Sequence, residues 1–235
     1  MKKGIAIVAT SLLLFVGCTE DKKEAKEQVT PKQEVTQNVE EKAKEVKKED
    51  FKNYVKELIK DIDVLFSGDV KIIITWHIHE ELRYEKDSIA DLDNIVKPLL
   101  DALSGKEGII IDDNQVQAID CIWLDSYQKD VQFLEVEIKS LLKENYIEKE
   151  DLYFINFDNL CLPISLKEKE NCKEFLLRCV SVWEMMINYR NKALEEGVSY
   201  YDAKGILPIQ RIFHKSRILD FPIKRKEEII ELINN

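Results

Sequence analysis

Residues 19–50, TEDKKEAKEQVTPKQEVTQNVEEKAKEVKKED, limit the fold before anything else does: the stretch has no aromatic residue and mixes ten acids with eight lysines. Such a segment cannot bury enough apolar surface to offset the entropy of ordering it, so it reads as a disordered charged tether. Any core must then be built from Phe51 onward. The whole chain of 235 residues is 45% apolar, which is material for one or two packed domains.

Ahead of the tether stands MKKGIAIVATSLLLFVGC, with two lysines, an apolar run and a small residue before cysteine. That is the layout of a secretion signal, and the run is too short for an ordinary spanning helix. It resembles a bacterial lipoprotein signal over residues 1–18, whose cleavage would leave Cys18 first and lipidated. A buried helix is the alternative. The resemblance implies an envelope location and a membrane contact made only through Cys18; if the signal is not used, the expected location is cytoplasmic. The other cysteines, Cys121, Cys161, Cys172 and Cys179, show no metal-ribbon or disulfide spacing and read as buried reduced thiols.

Beyond the tether, Phe51, Tyr54, Val55, Leu58, Ile62 and Leu65 recur at helical spacing, up to the breaker Ser67-Gly68-Asp69. VKIIITWHI (70–78), AIDCIWL (118–124) and VQFLEVEI (131–138) read as strands, with a short helix at about 95–104 between the first two. KEFLLRCVSVWEMMINYRNKALEEG (173–197) is a strong helix with Phe175, Leu176, Cys179, Val182, Trp183, Met186 and Tyr189 on one side and Gly197 as its stop. The expectation is an α+β domain over 51–140, a small mixed β-sheet with packed helices, followed by a mostly helical extension over 141–235.

Two acidic stretches carry the chemistry. In DLDNIVKPLLDAL, Asp91 and Asp93 flank Leu92 and leave on one face if the chain there is extended. Asp93 or Asn94 can cap the helix that follows, Pro98 suits its beginning, and Lys97 sits within a turn of the aspartates. In GIIIDDNQV, Asp112 and Asp113 end an apolar run. Each motif alone is also an ordinary cap or turn. Brought together, however, three or four carboxylates would repel and raise one another's pKa unless a proton or cation sat among them. Hard oxygen donors without a soft ligand nearby favour Mg2+, with Mn2+ as the substitute, and such a site can activate water at a phosphodiester.

These two motifs, in this order and at this separation, resemble the signature of the RusA-like Holliday-junction resolvases, magnesium-dependent endonucleases that act as homodimers on four-way DNA junctions. The likeness runs from about Val70 to Ile138. It implies that Asp91, Asp93 and Asp113 are the catalytic metal-binding carboxylates, that Lys97 is a catalytic lysine, and that Asp112 shapes the metal site. Asn94, Asp101 and Gln115 also fit the motif, Asp101 more as a structural residue. The family usually opens with a strand and a Pro-rich loop, for which residues 19–50 offer no counterpart.

Charge runs against nucleic-acid binding by the chain as a whole, because the formal net charge is -10 and residues 70–139 hold 15 acids against 7 Lys or Arg. Residues 203–226 are the exception, with seven Lys or Arg against one acid and Phe213 and Phe221 interleaved. Lys204, Arg211, Lys215, Arg217, Lys224, Arg225 and Lys226 are therefore the candidate DNA contacts, although an ordinary solvated basic face fits as well. His77 and His79 alternate on one strand; with no third soft ligand near them they read as a sheet face rather than a zinc site.

The expected function is Mg2+-dependent cleavage of branched DNA in recombination and repair. The alternative is a lipid-anchored envelope protein carrying a noncatalytic or remnant resolvase-like domain that binds DNA or another partner. Mass spectrometry of the N-terminus checks the leader: a lipidated Cys18 in the membrane fraction is expected, and an intact Met1 in the soluble fraction overturns it.

Overall fold

A computed structural model describes residues 12–15, 48–86, 92–129, 132–141, 146–207 and 211–235, with side chains for all of these except 12–15, 92 and 93. In chain order the elements are β1 (Leu12–Phe15), α1 (48–59), β2 (Val64–Phe66), β3 (Val70–Ile78), α2 (Glu80–Glu85), α3 (Leu92–Leu103), β4 (Val116–Asp125) and β5 (Phe133–Ser140). There follow β6 (Tyr146–Glu148), β7 (Leu152–Phe157), β8 (Leu160–Ser165), α4 (Lys169–Glu195), α5 (Tyr200–Lys204), β9 (Phe213–His214), β10 (Ile223–Arg225) and α6 (Lys226–Asn234). The protein is α+β. It divides into two compact units, one of Met1–Lys60, Lys71–Leu103 and Val116–Lys139, the other of Asp61–Val70, Ser104–Gln115 and Ser140–Asn235.

The first unit holds a four-stranded sheet in the order β1-β5-β3-β4. Its strands follow the expected runs closely because β-branched residues alternate there: Ile72, Ile74, Trp76 and Ile78 are buried along β3, and Leu134, Val136 and Ile138 along β5. The helices add Val55 and Ile59 from α1, and Leu99, Ala102 and Leu103 from α3. On the β3–β4 pair Trp76 stacks on Trp123 at 4.5 Å between centroids, and the Arg83 guanidinium lies 4.7 Å over the Trp123 ring. The outer strand β1 pairs antiparallel with β5, Leu12 opposite Val136 and Phe15 opposite Phe133. A strand on that side of the sheet thus comes from the apolar run ahead of Cys18, not from the charged stretch where one was sought.

The second unit is built on a mixed sheet, β10-β7-β8-β9, with β10 parallel to β7 and the remaining pairs antiparallel. Side chains alternate across β7. Leu152 and Phe154 enter one cluster with Leu65, Ile111, Cys161, Phe213, Ile218 and Phe221; Ile155 enters the other with Ile164, Leu176, Val180, Ile229 and Ile233. Burying both faces explains why LYFINF and LCLPIS read as continuous apolar runs. Helices outnumber strands by residue in this extension, yet its core is the sheet.

Several local expectations are corrected. The first helix ends at residue 59, so Leu65, expected on its stripe, is instead the buried centre of β2, and Ile59 rather than Leu58 faces inward. α3 begins at Leu92, which puts Pro98 inside the helix rather than near its start. There its ring nitrogen cannot donate to the carbonyl of Asn94, a cost that burial of Pro98 on the core side accompanies. On α4 the buried positions are Leu176, Val180 and Ile187, while Phe175, Val182 and Tyr189 are exposed: the stripe lies about one residue round from the expected one. Its end is as expected. Gly197 has φ 87, its N–H donates to Leu194 O and that of Val198 to Ala193 O, a Schellman stop. Of the four described cysteines, all free, only Cys161 is fully buried.

GIIID is not a ladder strand. Ile110 makes isolated parallel bridges to Phe66 and Ser104, and Asp113–Gln115 then wind into a 3-10 turn. The loop before it turns on Gly105 (φ 92), where a Cβ would stand 2.5 Å from the Asp220 carboxylate oxygen that accepts from Lys106 N–H at 2.7 Å. No helix among the described residues is long and apolar enough to cross a membrane.

Candidate functional site

The two acidic stretches fall in different units, Asp93 in the first and Asp112 and Asp113 in the second. Asp91 lies outside the described residues. Leu92 and Asp93 belong to the first turn of α3, so the chain from Leu92 onward is helical and not extended as the alternation argument required, and Asp93 and Asn94 stand inside the helix rather than at its cap. Lys97 follows Asp93 by one helical turn and is exposed. Asp101 forms an ion pair with Lys52 of α1 at 2.9 Å, the structural role expected of it.

The second stretch is shaped by Gln115, whose side chain is completely buried. Its Oε1 accepts from the N–H groups of Ile111 (2.7 Å) and Asp112 (3.0 Å), while its Nε2 donates to the carbonyls of Phe66 (2.8 Å) and Gly68 (2.7 Å). Every polar valence that the amide needs is filled. The turn so fixed buries Asp112, 8% exposed, and leaves the Asp113 side chain half exposed.

Residues 27–139 match the family model of endodeoxyribonuclease RusA. That stretch is similar to a RusA domain. The match spans just under half of the chain, includes both acidic motifs, and begins within the charged stretch expected to be only a tether. No curated protein matches the chain.

Outside the RusA match, the extension returns two arginines to the acidic turn. Arg217 Nη1 lies 3.3 and 3.4 Å from the two carboxylate oxygens of Asp112 and 3.2 Å from Asp113 Oδ1. Arg211 donates to Asp69 and to the backbone carbonyl of Asn114, and to Asn114 Oδ1 at 2.9 Å. The other basic candidates are disposed differently. Lys224 and Arg225 pair with Glu228, Lys226 with Glu184 at 2.6 Å, and Lys204 and Lys215 are exposed. Sequence reasoning noted Gln115 only as part of a motif and did not pair the arginines with the aspartates; partners some 100 residues apart leave no periodic signal.

The histidines are accounted for. His77 stacks on Phe133 at 4.1 Å and shares a 2.9 Å hydrogen bond with Glu135; His79 caps α2 by accepting from Glu81 N–H. Neither ring is disposed as part of a metal centre.

Burial raises the Asp112 carboxyl above its ordinary value; Arg217 opposes the shift and the neighbouring Asp113 charge adds to it. Two carboxylates sharing one guanidinium, one of them desolvated, form a hard, electron-rich oxygen pair, which suits a divalent cation such as magnesium. Among the described residues no group of three or more His, Cys, Asp or Glu side chains is arranged for a metal.

Two outcomes are expected. Gln115→Leu strands two buried N–H and two carbonyl groups and should lower unfolding stability by about 4 kcal/mol in urea titration; Gln115→Glu, which sets an oxygen against the two carbonyls, should recover part of the loss on acidification. Because the folded pKa of Asp112 is raised, its contribution is present below the ordinary carboxylate range and is lost as pH rises through the folded value. In chelator, Asp112→Asn should therefore remove a fall in Tm that the native chain shows on going from pH 4 toward neutrality; an unchanged profile refutes this.

Proposed function

We propose that the chain is a divalent-metal-dependent endodeoxyribonuclease acting on branched DNA, with magnesium, or manganese in its place, held by Asp91, Asp93, Asp112 and Asp113. The observation that carries this reading is the RusA match, which runs through both acidic motifs with every motif carboxylate and Lys97 present. A divalent cation bound there supplies activated water and neutralises charge at the phosphodiester. The chain's own residues do the rest. Lys97, exposed one turn after Asp93, offers an ammonium to a phosphate oxygen, and Gln115 keeps the Asp112–Asp113 turn from rearranging as charge develops. Lys204 and Lys215 are exposed basic side chains of the extension, open to DNA backbone contact.

Two copies acting together would place incisions on symmetric strands. The support for a homodimer is β4: it ends the sheet order, and Ile122 and Leu124 are nearly half exposed along it.

A second reading, a lipid-anchored protein whose RusA domain binds without cutting, draws on the net acidity of residues 70–139 and on the pairing of Arg211, Arg217, Lys224, Arg225 and Lys226 with internal acceptors. A synthetic four-way junction with magnesium separates the two. Symmetric incision by the native chain, reduced about 100-fold or more in Asp93→Asn and in Asp113→Asn, is expected. Binding without incision selects the second reading, and incision equal in all three chains removes these carboxylates from the chemistry.

A further inference from the structure

Arg217 and Arg211 hold the same acidic turn in contrasting ways. Arg211 is largely buried, pairs with Asp69, and fastens both the backbone carbonyl and the side chain of Asn114. Arg217 is half exposed, and its three contacts of 3.2–3.4 Å to Asp112 and Asp113 are longer than the about 2.7–2.9 Å of a well-formed guanidinium–carboxylate bond. It reaches them from the 3-10 turn Lys215–Arg217, which is anchored by Lys215 N–H on Asn159 O and by Ile218 in the core below. The base of Arg217 is thus fixed while its head is loosely held. A single nitrogen spreads across two carboxylates, which is how a counter-ion sits, not a bidentate clamp.

We propose that Arg217 is a displaceable internal counter-ion of the Asp112–Asp113 pair, which a divalent cation replaces, releasing the guanidinium to take a nonbridging phosphate oxygen of the DNA. This rests on the metal-dependent reading above and adds to it a residue that lies outside the RusA match. The desolvated Asp112 needs a positive partner in either condition, and two cations cannot share one carboxylate pair without repulsion, so uptake of the ion expels the arginine. The exchange links metal loading to DNA binding. The vacated guanidinium stays tethered within reach of whatever phosphate the cation holds.

The test uses the full chain and reads metal binding without DNA. By calorimetry with Mg2+, Arg217→Gln should bind about tenfold more tightly than the native chain, because one competing charge is gone, and Arg217→Lys should stay near native. Loss of a merely structural contact would weaken binding instead. With Ca2+ present to load the site and a labelled four-way junction, Arg217→Gln should bind DNA less tightly, with the dependence of log K on log salt shallower by about one contact. Native-like or weaker Mg2+ binding by Arg217→Gln, with uptake abolished in Asp113→Asn, overturns the counter-ion role while leaving the metal site standing. No Mg2+ uptake by the native chain and uptake by Arg217→Gln supports the role. No uptake by either overturns both readings.

Discussion

A buried carboxamide takes the place of a strand ladder in this protein. The segment Ile109–Asp112 approaches β2 through a backbone bond from Phe66 N–H to Ile109 O and one isolated bridge, Phe66 with Ile110; its other bridge joins Ile110 to Ser104. That is too little pairing to hold a turn bearing two adjacent negative charges. Gln115 supplies the missing bonds from its side chain, accepting from one strand-like segment and donating to the other. Because its amide has both polarities, it satisfies N–H and C=O groups at once, which no single apolar or charged side chain of that size can do. The geometry of Asp112 and Asp113 follows from it, and so does the insertion of Ile111 into the core beside Leu65 and Phe154.

The extension earns its place through the same turn. Phe154 of its sheet packs against Phe213 and Phe221, with centroids 5.8 and 5.0 Å away, and these rings fix the chain on either side of Arg217. Arg211 and Arg217 then oppose the acids that the RusA region contributes. Residues 70–139, with 15 acids and 7 basic residues, thereby obtain local cations from sequence that lies outside them. The acidity of residues 70–139 and the basicity of the tail are two sides of one electrostatic arrangement, which the net charge of the chain conceals.

What the sequence made legible was what periodicity encodes. β3 was readable residue by residue because one of its faces is buried and the other is not, and Gly197 was readable because a left-handed position after a helix selects glycine. The Leu152–Ser165 hairpin carries no periodic signal, although Asp158-Asn159 between two apolar runs is a turn signal and Asp158 does adopt φ 60. Its strands are covered on both sides and so lack alternation. Leu65 fits a helical stripe in the sequence because a short buried strand can fall by chance on the helical period. The acidic residues of the site were visible as a pattern; Gln115 and Arg217 were visible only as letters, since what they do depends on partners that the fold alone brings near.

The pairing of β1 carries a consequence for the leader. Leu12–Phe15 lie in register with Phe133–Val136, and the same four residues belong to the apolar run ahead of Cys18. One segment cannot be inserted in a bilayer, or removed by cleavage at Cys18, and also remain hydrogen-bonded to β5. Cleavage at Cys18 would therefore remove this strand and leave the outer N–H and C=O groups of β5 to water or to another strand. The exchange falls at the edge, while β5 keeps β3 on its other side, and Leu134, Val136 and Ile138 remain buried along it. Loss of an edge strand of four residues is a smaller change than loss of a central one. The four-stranded sheet would thus lose one short ladder and keep the β5–β3 pairing at its centre.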